Sequence, residues 1–149
     1  MRHVLVVIMA ATLAACQSMP PDQAQSEISR ATAAWAEGMS RHDIDAVMAL
    51  YDSDAVLWGT RSAQLRDNPE RVREYFGVLR TVPASYKAVL GEQRIRVYGD
   101  IAIDTGTYTF SEVRDGKEVL RPARFSMVYH RRDGRWLIVD HHSSALPVQ

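Results

Sequence analysis

The residues most able to do chemistry lie near the end of the chain. Asp140 and His142 are two positions apart, so a regular β-strand would place both side chains on one face. A carboxylate beside an imidazole can orient it as a general acid or base, which makes Asp140 and His142 candidate catalytic residues. The alternative is a histidine that closes the sheet by hydrogen bonding. A bulge in this strand would exchange His142 for His141 on that face.

Arg124 is the second candidate, in the middle of another apolar segment. An unpaired guanidinium is costly to bury, so a half-buried Arg124 requires a partner or a bound anion. One interpretation directs it into a pocket, where it would bind a ligand. The other pairs it across the sheet with Asp104 or Glu112.

Two histidines in sequence do not predict a metal site. The side chains of His141 and His142 point to opposite faces of a strand, so they cannot both ligate one ion without distortion. The sequence also contains no glycine-rich loop for the phosphates of a dinucleotide. We therefore expect no metal and no cofactor.

Three helices are predicted ahead of the strands. The first has apolar residues at helical spacing, the second covers residues 43–51 with Asp43 as its cap, and the third begins at Pro69 and ends near Arg80. A short apolar run at residues 55–58 predicts a strand between the second and third helices. The apolar positions of the first helix are Ile28, Ala31, Trp35 and Met39.

The second half of the chain predicts four long strands in a meander. They cover residues 86–98, 101–113, 118–131 and 136–143, and the segments between them are Gly99-Asp100, Asp115-Gly116 and Asp133-Gly134. Asp-Gly pairs between apolar runs are strong hairpin signals. Helices followed by an antiparallel meander predict an α+β fold in which the helices cover one face of a curved sheet.

The N-terminus predicts export. Residues 1–15 have a charged start, a short apolar run and a small-residue exit, as a secretory signal does. The exit ends at Cys16, the only cysteine, and resembles the lipobox of bacterial lipoproteins, in which that cysteine is lipidated. Gln17 rather than Asp follows it, which by resemblance to enterobacterial sorting favours the periplasmic face of the outer membrane. The alternative is an ordinary cleaved signal with a chance cysteine.

The rest of the chain predicts a short polar tether at residues 17–23 and a single domain at residues 24–147. The full sequence holds 18 Lys and Arg against 18 Asp and Glu, and removal of residues 1–15 takes away only Arg2, so the mature net charge is −1. This balance gives no basic surface for nucleic acid. Contact with a membrane is therefore expected only through the lipid anchor.

Three segments carry a resemblance to a known family. They are "RRDGRWLIVDHHSSALP" at residues 131–147, "YDSDAVLWGT" at residues 51–60 and "REYF" at residues 73–76. They resemble the bacterial relatives of the calcium/calmodulin-dependent protein kinase II association domain, within the nuclear transport factor 2-like, or SnoaL-like, superfamily. The resemblance implies a cone-shaped fold with three N-terminal helices on a strongly curved, mainly antiparallel sheet. It also implies a homo-oligomer, a dimer or higher, that pairs through the outer face of the sheet.

The resemblance also implies a pocket inside the cone. The arginines of the kinase family's pocket fall opposite Tyr108 and Met127 here, so Arg124 would replace them as the group for a small polar or anionic ligand. The remaining wall would combine apolar rings with a few polar tips, although Trp58 and Tyr75 could equally be plain core. The candidate ligand-binding residues are Arg124, His142, Tyr108, Trp58, Thr60 and Tyr75.

Two functions follow as hypotheses. The first is a self-assembling module that binds a small ligand. The alternative is an isomerase, dehydratase or hydrolase of the SnoaL-like type, in which Asp104, Arg124 and Asp140 would form an acid, arginine, acid group on three strands. That enzyme hypothesis rests on fold analogy alone. A purely structural envelope lipoprotein is a third possibility.

Overall fold

A computed structural model describes residues 19–147. The predictions for the signal peptide, for Cys16 and for the start of the tether lie outside these residues. The helices are α1 (Pro21–Arg41), α2 (Ile44–Met48) and α3 (Pro69–Phe76), the last of which continues as a 3-10 helix, Gly77–Arg80. The strands are β1 (Tyr51–Trp58), β2 (Lys87–Tyr98), β3 (Ile101–Arg114), β4 (Lys117–Arg132) and β5 (Arg135–Ala145).

The five strands form one mixed, curved sheet in the order β1-β5-β4-β3-β2. β1 runs parallel to β5, and the other neighbours are antiparallel hairpins. At the Asp115-Gly116 and Asp133-Gly134 turns both residues have positive φ, between 50° and 76°, as a two-residue hairpin turn that follows the sheet's twist requires. The predicted α+β architecture is confirmed.

α1 covers one face of the sheet, which we call the inner face. Its buried residues include Ile28, Thr32, Trp35 and Met39, spaced so that they form one stripe along the helix. The helix begins at Pro21, so the predicted tether is wrong for residues 21–23, which form its first turn. Proline suits the first helical position because its missing N–H has no partner there in any case, and Asp22 in the same turn complements the helix dipole.

The second helix is shorter than predicted and the first strand longer. Asp43 caps α2 as expected, since its Oδ1 accepts from the Ala46 N–H at 2.9 Å. The helix ends at Met48, however, and Tyr51 begins β1 opposite Ile138 of β5. The Ile138 N–H donates to the Leu50 carbonyl at 2.8 Å, so pairing with β5 overrides the helical pattern of this segment.

A β-bulge in β5 decides which histidine faces the core. Val128 of β4 pairs with Asp140, but Tyr129 pairs with Ile138, so Val139 is an extra residue on β5. Beyond it the alternation shifts by one position. His141 is consequently buried on the inner face, while Asp140 and His142 lie on the opposite, outer face.

β4 places Arg124 on the outer face as well. Ala123, Phe125, Met127 and Tyr129 alternate along this strand as buried core residues, so Arg124 and Ser126 between them are exposed. The prediction that Arg124 faces a pocket inside the cone is wrong. Burying the large apolar side chains removes far more apolar area from water than an arginine pocket could.

Candidate functional site

Five of the six predicted ligand-binding residues line two concave regions, and Arg124 lines neither. The first is an inner cavity of about 20 Å³, room for roughly one water molecule. The second is an open groove of about 450 Å³ on the outer side. Tyr75 and Tyr108 line the inner cavity, Trp58 and His142 line the outer groove, and Thr60 contributes to both.

Three buried side chains are linked by hydrogen bonds beside the cavity, and two of them, Trp35 and His141, line its wall. The Trp35 Nε1–H donates to the Tyr51 hydroxyl at 3.2 Å, and that hydroxyl lies 2.6 Å from His141 Nδ1. His141 Nδ1 is the one acceptor within reach of the buried Tyr51 hydroxyl among the described residues, so we assign the Tyr51 proton to this hydrogen bond and the imidazole proton to Nε2. His141 Nε2 is buried and has no hydrogen-bond partner among the described residues.

Burial keeps the Tyr51 hydroxyl and the His141 imidazole uncharged. Burial, with a smaller contribution from neighbouring His142, lowers the pKa of His141 to about 3. Burial also raises the pKa of the Tyr51 hydroxyl well above its usual value. His141 is therefore a neutral hydrogen-bond donor at physiological pH rather than a proton-accepting base.

Three hydroxyl groups form a second cluster on the same wall. The Tyr108 hydroxyl donates to Ser143 Oγ at 2.5 Å, and Ser143 Oγ is also in contact with Thr60 Oγ1. The Tyr108 ring is stacked between Trp35 and Phe125, at centroid distances of 5.4 and 5.0 Å. Burial raises the pKa of Tyr108, so its hydroxyl stays protonated and can donate.

Asp104 is a core residue on the inner face. It is fully buried, and its Oδ2 accepts from Thr32 Oγ1 and from Gln93 Nε2, each at 2.7 Å. Burial raises the pKa of Asp104, and the two hydrogen bonds oppose this shift without reversing it. Arg124 and Asp140 lie on the other face, so the proposed acid, arginine, acid group does not form.

On the outer face, Asp140 and His142 do share a side, as predicted, but it is not the side of the cone. His142 is exposed and pairs in register with Ser126 on β4. Arg124 is next to this pair and donates from Nε to Ser144 Oγ at 3.1 Å. Burial raises the pKa of Asp140, and the nearby His142 lowers it by less.

The cross-sheet alternative for Arg124 is also wrong. Glu112, whose side chain is buried, forms its ion pairs with Arg114 and with Arg121, the latter at 2.9 Å. Burial would raise the pKa of Glu112, but the two guanidinium groups hold it below its usual value. Glu112 is thus the ion-pair partner of Arg114 and Arg121 and is not available to Arg124.

Sequence reasoning missed Tyr51 and Ser143, and it left open whether His141 or His142 faces the core. Only the position of the bulge would have identified His141 and Ser143, and Tyr51 was placed in a helix. His141 and His142 do point to opposite faces, as predicted.

Within residues 19–147, no three His, Cys, Asp or Glu side chains lie close enough to hold a metal ion. None of the helices in that range is long and apolar enough to cross a bilayer.

The fold of this chain is shared with solved structures of low sequence identity. A nuclear transport factor 2-like protein from Novosphingobium aromaticivorans superimposes with a TM-score of 0.77 at 17% identity, over 85% of this chain and 84% of that one. Helices on a five-stranded curved sheet are the shared feature. The chain therefore has the nuclear transport factor 2-like fold.

The family follows from closer matches. Residues 24–147 match the model of the calcium/calmodulin dependent protein kinase II association domain. A Xanthomonas campestris structure described as such a domain is 32% identical, with a TM-score of 0.75, over 98% of this chain and all of that one. The association domain of the Caenorhabditis elegans kinase is 20% identical, with a TM-score of 0.70, over 83% and 97%. No curated protein matches. The chain belongs to the calcium/calmodulin-dependent protein kinase II association domain family.

Proposed function

We propose that this protein is a lipid-anchored, exported module that assembles with copies of itself through the outer face of its sheet. One observation supports the proposal most directly. Five aliphatic side chains that β3, β4 and β5 place on that face remain only partly buried, although α1 covers the inner face completely enough to bury most of its aromatic residues. These five residues, the outer patch, are Ile101, Ile103, Val128, Leu137 and Val139.

The outer patch has the composition of a pairing surface. Ile103 and Val128 are cross-strand partners at its centre, and Arg96 continues the same row on β2. A partly exposed aliphatic centre beside charged residues is typical of protein interfaces. The solved relatives of this family carry association or hub in their descriptions, and a second copy of this chain is the partner that this membership favours.

Assembly can be tested with a matched pair of substitutions. Val128→Arg would put a charge in the centre of the outer patch, whereas Val78→Arg puts the same charge on the 3-10 helix, where the valine is 43% exposed. In light scattering of protein beginning at Gln17, we expect at least a dimer for the parent and for Val78→Arg. We expect a folded monomer for Val128→Arg. A parent chain that is monomeric at micromolar concentration would refute the assembly proposal.

The anchor is tested separately from assembly. Cys16→Ser removes the thiol that a lipoprotein precursor would have acylated, so labelled palmitate should enter the parent and not the variant. Fractionation should then recover the variant as an uncleaved precursor or as soluble protein. Equal incorporation into both chains would contradict the lipid anchor and leave the assembly proposal untouched.

A ligand function is supported by the outer groove rather than by the cone. Trp58 and His142 are register partners on β1 and β5 and line this groove, whose volume lies in the range of small-molecule sites. Arg124 contacts Ser144, another lining residue. An exposed tryptophan with an imidazole and a guanidinium nearby suits a small carboxylate. The small polar or anionic ligand predicted for the cone is therefore expected in the outer groove instead.

The groove is tested by changing the shape of its cation without changing the charge. Arg124→Lys loses the planar fork that holds a carboxylate by two hydrogen bonds. Small carboxylates should therefore raise the melting temperature of the parent more than that of Arg124→Lys. Arg94→Lys, on the edge strand of the same face, is the matched control and should behave as the parent. Equal shifts in all three proteins would exclude Arg124 from a ligand site.

A further inference from the structure

The inner cavity has features of a binding site that the assembly module does not use. His141 is 2% exposed, its Nε2 has no partner among the described residues, and its side chain lines the cavity. A buried donor left without an acceptor is costly and is seldom kept without a reason. The Thr60, Ser143 and Tyr108 hydroxyls lie on the same cavity wall.

Among residues 19–147, no charged side chain lines this cavity. Its remaining wall is apolar and aromatic and includes Trp35 and Phe76. An anion placed there would lose its hydration without gaining a cation, whereas an uncharged acceptor would gain the unused donor. The polarity of the cavity therefore suits a neutral ligand, in contrast to the outer groove beside Arg124.

Tyr75 belongs to the cavity wall and is also partly exposed to solvent. Its ring lies directly on Gly59, where a Cβ atom would come within 2.2 Å of Tyr75 Cζ. Glycine at position 59 is thus what allows the ring to lie in this position. Both residues line the cavity, so removal of the ring would enlarge the space behind it.

We propose that the inner cavity is a binding site for a small uncharged molecule with a carbonyl or amide oxygen, which accepts a hydrogen bond from His141 Nε2, and that the Tyr75 ring must move away to admit it. In the closed state the cavity has room for about one water molecule. The bound oxygen occupies this space, and the aromatic wall packs against the rest of the ligand. This site is independent of assembly through the outer patch.

Acetamide and acetate are matched probes for this proposal, because they have nearly the same shape and differ in charge. The full chain in detergent is titrated with each at millimolar concentration, and the imidazole nitrogen resonances of His141 are followed by NMR. Acetamide should shift the Nε2 resonance and acetate should not. If acetate shifts it as strongly, or if acetamide has no effect in any variant, the proposal is wrong.

Two substitutions test the role of the ring. Tyr75→Ala removes it, and Gly59→Ala displaces it by the clash described above. If the open state of the parent is a minor one, populated to a few per cent, each variant should bind acetamide at least about tenfold more tightly. Gly77→Ala is the matched control, since its Cβ would meet only Arg80 Nη1, at 3.6 Å, and its affinity should equal that of the parent. Affinities within twofold of each other in all four proteins would overturn the role of Tyr75.

The donor is tested in the open background. His141→Phe in the Tyr75→Ala chain removes the Nε2–H while keeping an aromatic ring, and acetamide binding should fall back by at least about tenfold, the loss of one hydrogen bond to a buried donor. Should this double variant fail to fold, the acetamide-induced shift of His141 Nε2 in Tyr75→Ala decides instead. Its absence there would refute the assignment of His141 as the donor.

Discussion

The inner and outer faces of the sheet carry the same three kinds of side chain in different surroundings. The inner side has Trp35, His141 and Tyr108, all at most 2% exposed, whereas Trp58 and Tyr98 are 45% and 60% exposed. The outer-face histidine that corresponds to His141 is His142, which is also exposed. Trp35 contacts both Tyr108 and His141, whereas on the outer side Trp58 and His142 line one groove and Tyr98 lies apart at the end of β2.

This difference separates two kinds of function. On the inner face, burial makes every titratable group in the cavity neutral, so recognition there depends on shape and single hydrogen bonds. On the outer face, water screens the charges and the side chains remain available to a partner or to a dissolved anion. Matched substitutions at the three residue types can therefore test the comparison directly.

The tryptophans should give the largest difference. Trp35→Ala removes a core ring that contacts Phe76, Tyr108 and His141, and we expect it to lower the free energy of unfolding by about 3–5 kcal/mol. Trp58→Ala should lower it by less than about 1 kcal/mol, because nearly half of that side chain already meets water. Urea denaturation of the two variants measures both values. Similar losses would mean that the outer groove is as tightly packed as the core.

The histidines should differ in their pH dependence. The pKa of His141 is about 3 in the folded chain against 6.5 for the free side chain. Below pH 6.5 the unfolded chain therefore binds a proton that the folded chain does not, and the free energy of unfolding falls as the pH is lowered. The stability advantage of the parent over His141→Asn should shrink by about 2 kcal/mol between pH 7 and pH 5.

His142→Asn is the control for this measurement. This variant keeps the buried His141 and removes the exposed imidazole next to it, so its free energy of unfolding should fall with decreasing pH as that of the parent does. Urea denaturation at several pH values gives both curves. If the His142 variant removed the pH dependence and the His141 variant did not, the assignment of the two faces would be reversed.

Most of the architecture could be predicted from local sequence signals. Apolar residues at helical spacing located α1, Asp43 and Pro69 marked the starts of two helices, and two Asp-Gly pairs located the hairpins. These signals work because capping, proline geometry and turn chemistry depend on residues close together in the chain. The family resemblance added that the curved sheet forms a cone.

The site could not be predicted in the same way. The alternation of side chains along β4 predicts which residues share a face, but not which face is buried. The packing of Phe125 and Tyr129 in the core decides that Arg124 is on the outer face. On β5 the extra residue at Val139 exchanged the roles of His141 and His142. A bulge is set by pairing with a distant strand, so no short segment of sequence determines it.

The tyrosines should show the smallest difference in the free energy of unfolding, and this difference reports on a single hydroxyl group. Tyr108→Phe removes the hydroxyl that donates to Ser143 Oγ at 2.5 Å and keeps the stacked ring in place. Ser143 retains its contact with Thr60, so the expected loss is about 1 kcal/mol, that of one buried hydrogen bond. Tyr98→Phe, on the exposed end of β2, should change the free energy of unfolding by less than about 0.5 kcal/mol. The two losses are compared by urea denaturation at pH 7, where burial, which raises the pKa of Tyr108, keeps its hydroxyl protonated. An unchanged stability for Tyr108→Phe would show that the hydroxyl cluster does not hold the cavity wall together.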